Sequence, residues 1–465
     1  VLRARRPLRV RALLALTLLA GCAGPRPVET AAPVPIAPRP AGVAAALDAA
    51  LSPADALRPA YAARGYRPLF VTDTAVGPEA AALIARLRDA GEDNLDPAAY
   101  DIPQLEAAVA QARTGMTPAL ARAELALARA YTALLSDLHR PKAAVGMVYV
   151  HDGLAPAERG PAQWLADVAR APSLSQHIET ATRLNPLYQE LRSALAAHRA
   201  RGGPDALERA IRLNLERARA LPADPGPRFI LVDAAGATLR LYEDGRVVDT
   251  MRVIVGKPAE PTPLMAARMS YVVMNPYWNL PPDLARERAR RVLRSGLSVF
   301  RAEHLEMLSG WEEDARVVNP AEVDWKAAAR DPDLRMRQLP GSWNMMGDVK
   351  FMMPNRMGIY LHDTPNKAPF KTASRRLSSG CVRVEDAPRL LRWVFGPTPA
   401  PAVKSAGRDE EVALPAAIPV YITYLTVEAR PGGRLAQRPD PDRRDPALLA
   451  ALSAAPTGGS ALGGR

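Results

Sequence analysis

Residues 228–255 read RFILVDAAGATLRLYEDGRVVDTMRVIV, and this run decides how the centre of the chain folds. Three segments of it, 228–233, 238–242 and 247–255, are dominated by β-branched, aromatic and other apolar residues, the composition that favours strands. Ala-Ala-Gly-Ala separates the first two. Asp244-Gly245 separates the second from the third, and a two-residue Asp-Gly link is a strong signal for a tight hairpin, because its turn demands positive φ. Further short strands are predicted at 269–274, 349–352, 358–362 and 418–427. Many short strands joined by turn signals point to a sandwich or small barrel rather than a parallel α/β sheet.

Upstream the period changes from two to 3.6. Residues 43–203 are rich in Ala, Leu and Arg and predict a helical scaffold; Thr117-Pro118 reads as a cap and first-turn proline, with Leu120, Leu127, Tyr131, Leu134 and Leu138 on one face. A connector follows at 204–227, its helix carrying Leu207, Ile211 and Leu215 on one stripe and stopping before Leu221-Pro222. Within the β-rich region, 228–428, residues 276–345 interrupt the strand series with helical, charged sequence. Tyr277, Trp278, Trp311, Trp325 and Trp343 concentrate there, in a chain that is only 5% aromatic. An excursion of that length predicts a helical subdomain capping a cleft. Residues 429–465, full of Pro, Gly, Arg and Ala, predict a disordered tail. The fold class is therefore α+β and multidomain: an all-helical N-terminal scaffold, then a mostly β, sandwich- or barrel-like domain with an inserted helical cap.

Composition bounds the function. The 465 residues suffice for about three domains at roughly 150 residues each. Lys+Arg of 61 against Asp+Glu of 49 gives +12, but only seven of the 61 are Lys, and no basic helix with interleaved aromatics or zinc-finger spacing is present. Nucleic acid is not expected as a partner. Six histidines, at 139, 151, 177, 198, 304 and 362, form no zinc-type spacing, so neither a metal nor another cofactor is expected.

The two cysteines, Cys22 and Cys381, sit in unlike surroundings. Five arginines in residues 1–11, an apolar run at 12–20 and Gly21-Cys22 read as a signal peptide at 1–22, followed by a Pro-rich linker at 23–42. The apolar run is too short to span a bilayer comfortably. Leu19-Ala20-Gly21-Cys22 resembles a bacterial lipobox, which implies lipidation at Cys22 and a periplasmic, lipid-anchored protein. Ala23, in place of an aspartate that favours inner-membrane retention, points to the outer membrane of a Gram-negative bacterium. If Cys22 is acylated, Cys381 is left as a free thiol in an oxidising compartment and needs a chemical reason to be there.

That reason lies in Tyr360-Leu361-His362-Asp363-Thr364-Pro365 and Ser378-Ser379-Gly380-Cys381-Val382-Arg383. An imidazole can take the proton of a thiol and make it a strong nucleophile. Gly380 permits close backbone approach, nearby N–H groups can receive an oxyanion, and Arg383 can neutralise a carboxylate or support a thiolate. The segment resembles the catalytic motif of the YkuD-type L,D-transpeptidases. The resemblance extends over about 212–395, including Val349-Lys350-Phe351 and Tyr271-Val-Val-Met-Asn-Pro-Tyr-Trp-Asn279, while Tyr61 to Phe70 and Leu95-Asp96-Pro97 look like the scaffold of the large periplasmic YcbB-like subfamily.

The resemblance implies Cys381 as nucleophile, His362 as its base, and Asp363 as the source of a backbone carbonyl that orients the imidazole. Ser379, Gly380, Arg383, Tyr360 and Trp278 are the expected oxyanion and substrate contacts. It further implies a thioester acyl-enzyme, 3-3 crosslinking of peptidoglycan tetrapeptide stems as donor and acceptor, and acylation by carbapenems. Ser379 departs from the family pattern, where a second histidine stands, and the peptidoglycan-binding module common in relatives is missing. An L,D-carboxypeptidase of the same fold and a non-catalytic wall-binding lipoprotein remain open alternatives.

Overall fold

The structure is a computed structural model, and the described residues are 41–454 apart from 144, 169, 313, 403–408 and 431–433. Its centre is a closed ring of eight strands: β1 (Arg228–Asp233), β2 (Thr238–Glu243), β3 (Arg246–Gly256), β4 (Met265–Met274), β5 (Val349–Met352), β6 (Leu361–His362), β7 (Val382–Val384) and β8 (Glu410–Thr423). The order around the ring is β4-β5-β6-β7-β3-β2-β1-β8, and β8 pairs back onto β4. Closure leaves no free sheet edge in the ring, and it resolves the sandwich-or-barrel alternative in favour of a barrel. Two of the eight pairings, β6–β7 and β1–β8, are parallel.

Alternation along each strand sorts side chains to the two faces. Ile230, Val232, Leu239, Leu241, Val253, Val255, Val272, Phe351, Leu361 and Val382 fill the barrel with the helix Ala387–Phe395, whose Leu390, Leu391, Val394 and Phe395 join the same core. The outward residues of β1, Phe229 and Leu231, together with Tyr242 and Tyr421, pack into the scaffold's core instead. β1 is thus buried on both faces, which is why its sequence is an unbroken apolar run. A short strand from the scaffold side, Val148–Tyr149, also pairs in parallel with the start of β4.

The upstream region is helical, and its longest helix, Thr117–Leu138, buries Leu120, Leu127, Tyr131, Leu134 and Leu138 on one face. Thr117 lies inside this helix and makes no capping bond; extended Met116 holds the cap position. Glu124, fully buried, accepts hydrogen bonds from the Tyr61 hydroxyl and from the backbone N–H groups of Leu69, Phe70 and Val71.

Two expectations need correction. The insertion is not simply helical. Beside helices Pro282–Ser295 and Ser298–Ala302 it holds a four-stranded antiparallel sheet of Trp278–Asn279, Leu305–Leu308, Val317–Val318 and Arg335–Gln338, with its own core around Ala285, Phe300 and Met336. Strands of two to four residues are too short to leave a period in the sequence. The expected disordered tail carries regular structure in its described residues: Val427–Arg430 and Arg434–Gln437 pair as antiparallel strands and Arg444–Ala454 forms a helix. Charge pairing accounts for it. Arg438 bridges Asp233 (2.6 Å) and Glu428 (2.5 Å), Asp445 meets Arg217 (2.7 Å), and Asp442 meets Arg376, pairings that composition alone does not reveal.

Candidate active site

The register of β5, β6 and β7 builds the site. Leu361 pairs with Val382 and His362 with Arg383 across β6–β7, so their inward members, Leu361 and Val382, lie in the barrel core. The alternate positions face outward: Tyr360 and His362 from the β6 segment, Cys381 and Arg383 from the β7 segment. On the other side of β6, Lys350 of β5 pairs with His362 and shares its face. Residues separated by up to 33 positions in sequence thus form one cluster.

His362 is 2% exposed, and its Nδ1 lies 2.6 Å from the carbonyl oxygen of Asp363. A carbonyl only accepts, so Nδ1 carries the proton and Nε2 is left as an unprotonated base. Burial, reinforced by the positive charges of Arg383, Lys350 and Lys367, pulls the imidazole down to about 3. The Asp363 carboxylate acts elsewhere, accepting from the Asp348 N–H (3.0 Å) and pairing with Lys367 (2.6 Å). Gly347, at φ +61°, makes room for it, since a Cβ there would lie 2.3 Å from Asp363 Oδ2.

Cys381 is a partly buried free thiol, 3.5 Å from the Gly358 carbonyl oxygen. Burial pushes it up from its ordinary value, opposed by hydrogen bonds from the backbone N–H and the hydroxyl of Tyr360 and by the charges of Lys350 and Arg383. Both shifts favour the uncharged form near neutral pH, a thiol at Cys381 and an imidazole at His362. Tyr360 in turn is held above its usual range by burial and by Cys381, and its ring centroid lies 5.7 Å from that of His362. Lys350 Nζ sits 4.5 Å from the centre of the Tyr360 ring.

The expected oxyanion donors are arranged differently from the sequence reading. The Gly380 N–H points to Ser378 Oγ (3.3 Å), and Ser378 Oγ donates to the Cys381 carbonyl (2.6 Å). The Gly380 carbonyl accepts from Thr262 Oγ1 (2.8 Å). Gly380 itself is needed: its φ is +112°, and a Cβ would stand 3.2 Å from Ile359. Exposed Ser379 bonds to Glu260 at the rim, where that contact, with Lys257, holds the Glu260 carboxyl low. Trp278 packs against the insertion's own core rather than joining this cluster, whereas its neighbours Tyr277 and Asn279 line a cavity beside Lys350. Cys22 lies outside the described residues.

Sequence reasoning missed Lys350, Ser378 and Thr262 as site residues. Lys350 had a signal, a charge between two core residues in a strand, but its opposition to His362 exists only in the register. Among the described residues no cluster of three or more His, Cys, Asp or Glu could hold a metal, and no helix is long and apolar enough to cross a membrane.

A mixed barrel bearing an outward-facing His and Cys on adjacent parallel strands, behind a helical domain, defines a narrow class of protein. The L,D-transpeptidase catalytic domain of the YkuD type matches residues 227–402, and a scaffold domain matches 55–195. The chain therefore carries a YkuD-type L,D-transpeptidase catalytic domain together with a scaffold domain, a combination that fits the YcbB-like subfamily. A Haemophilus influenzae protein named "Putative L,D-transpeptidase" is 29% identical over 283 residues, covering 60% of this chain and 56% of its own length. The chain thus spans little more than half of that curated relative. Solved L,D-transpeptidases from Mycobacterium smegmatis (13% identity, 42% of this chain, 58% of that one) and Enterococcus faecium (12%, 47% and 63%) align with a TM-score of 0.21 each.

Proposed function

We propose that this protein is a peptidoglycan L,D-transpeptidase that forms 3-3 crosslinks through a thioester on Cys381. The observation that carries the reading is His362: a buried, neutral imidazole whose Nδ1 is occupied by Asp363, leaving Nε2 as the base on the face it shares with Cys381. In acylation, the Cys381 sulfur attacks the carbonyl of the L-centre of the third stem residue as its proton passes to His362. The tetrahedral oxyanion collapses, the peptide C–N bond breaks, and His362 returns the proton to the departing D-alanine amine. An acceptor amine then gives a proton to His362, attacks the thioester carbonyl and releases the thiol. Tyr360 N–H and the Lys350 and Arg383 charges stabilise negative charge on sulfur.

Carbapenems acylate the same thiol in this reading. The leader sequence supports lipidation at Cys22 and a periplasmic address at the outer membrane; a Cys22→Ser protein that still carried lipid would refute it. The activity is tested by incubating the protein with disaccharide tetrapeptide and weighing the products. A dimer that has lost one D-alanine supports the transpeptidase, tripeptide alone indicates the carboxypeptidase, and no change indicates a binding protein.

A further inference from the structure

A cavity of about 250 Å³ opens on the same barrel face as the Cys381 cluster, between β5 and the insertion. It is below the ~300–1,000 Å³ typical of drug-sized sites, so it suits one small head group rather than a length of peptide. Its charge is mixed in a particular way. Lys350 from the barrel and Arg337 from the insertion, its Nε already paired with Glu306, bring positive charge; Asp409 and Glu411 bring negative charge. Tyr277 and Asn279 close it from the insertion side, with Tyr277 stacked 3.9 Å from the Arg337 guanidinium.

The register explains why these groups converge. Lys350 pairs with Val273 on one side of β4, and Glu411 pairs with Val273 on the other, so all three share the outward face. Lys350 and Glu411 thus flank one residue of β4, close enough for the acids to oppose the fall in the lysine's basicity that burial causes. From β7, which carries the nucleophile, to β5, which carries Lys350, is two strand spacings, about 10 Å. An amino-acid head on a short aliphatic arm spans that distance.

We infer that this cavity binds an α-amino-acid zwitterion, with the carboxylate on Lys350 and Arg337 and the ammonium on Glu411 and Asp409. The inference rests on the transpeptidase reading for its biological occupant, because the stem's diaminopimelate ends in such a head at its D-centre. A free amino acid offers the same chemistry. A pocket of one sign would prefer a simple acid or amine; paired signs reject both, because either leaves a charge in the pocket unanswered.

The test is equilibrium calorimetry on the full wild-type chain with the stem tripeptide L-Ala-γ-D-Glu-meso-diaminopimelate, which has no D-alanine to lose. Two blocked forms are compared, one amidated at the D-centre carboxylate and one acetylated at the D-centre amine. Each block is expected to weaken binding about tenfold or more, the scale of one charge-assisted contact. Glu411→Gln should weaken the free peptide similarly and shrink the acetylation penalty to under about twofold. Equal affinity for the three peptides, or a Glu411→Gln protein with the wild-type acetylation penalty, overturns the inference. Competition by millimolar D-alanine supports it with a free amino acid as occupant; selective tripeptide binding without that competition supports it with the stem as occupant. Selective binding without turnover of tetrapeptide sinks the transpeptidase reading alone, and turnover with unselective binding sinks the zwitterion site alone.

Discussion

The scaffold and the barrel face both bury charge, and they treat it in opposite ways. Where the connector helix Asp205–Arg219 meets the scaffold, Arg219 is fully buried, yet its terminal nitrogens meet Glu216, the Asp93 carbonyl and the Tyr188 hydroxyl. Asp93 is also fully buried and meets Arg86 (2.7 Å) and Arg192 (3.1 Å), while Glu216 accepts from Asn94 (3.1 Å) and the Lys142 N–H (3.0 Å). Nε is unpartnered in Arg219 and Arg383 alike, but on the barrel face Arg383 pairs with no carboxylate among the described residues, and burial lowers its basicity with only the Cys381 sulfur opposing. The first arrangement locks helices together. In the proposed reaction the second leaves positive charge uncompensated until a thiolate or oxyanion forms, which would lower the energy of the reacting state relative to the resting one.

The largest effect that would break this contrast is at the proposed nucleophile. Cys381→Ala is expected to abolish both turnover and covalent carbapenem labelling while leaving the thermal midpoint near wild type, since it removes a single sulfur from a partly buried position outside the hydrophobic cores. Residual crosslinking of tetrapeptides by that variant would refute the mechanism. On the scaffold side, Glu216→Ala should cost about 3–5 kcal/mol in denaturant unfolding, because it strands the fully buried Arg219. Its folded fraction should still label with carbapenem at the wild-type rate. A loss under about 1 kcal/mol would mean the cluster holds nothing together.

A sharper comparison comes from Arg383→Met. Iodoacetamide should alkylate Cys381 about tenfold more slowly at pH 8, while the melting temperature stays level or rises, since no carboxylate is orphaned. A large drop in melting temperature would make Arg383 structural, like Arg219. The smallest effects lie in pH dependence. His362 binds a proton at about 6.5 when unfolded and only near 3 when folded, so the unfolded state holds more protons between those values. Stability therefore falls as pH drops through that window and is unaffected by this group above it, by at most about 1.4 kcal/mol per pH unit. His362→Gln should flatten that limb of a pH-dependent unfolding curve. For the raised thiol the sign is opposite in direction: alkylation should keep climbing from pH 7 to beyond pH 9. A plateau already at pH 6 would indicate a resting thiolate–imidazolium pair instead of two neutral groups.

Much of this architecture was readable in the chain. Val and Ile runs and Asp244-Gly245 specify strands through local sterics, which act within a few residues. His362 and Cys381 announced themselves through Gly380, the neighbouring serines and Arg383, because reactive groups need particular neighbours in sequence as well as in space. Other features were illegible for physical reasons. Whether the strands close into a barrel depends on β8 finding β4, about 140 residues away. The order of the tail depends on Arg438 meeting Asp233, and the position of Trp278 on how the insertion packs its own core.

Short segments alone specify the strands and helices of the barrel and scaffold and single out the candidate nucleophile and base, since propensity and side-chain chemistry are local properties. Which groups face that pair was settled in three dimensions. Lys350 opposite His362, Gly380 N–H diverted to Ser378, and Tyr360 N–H turned to the sulfur all follow from strand register, and register is set by long-range burial of alternate residues rather than by any local rule.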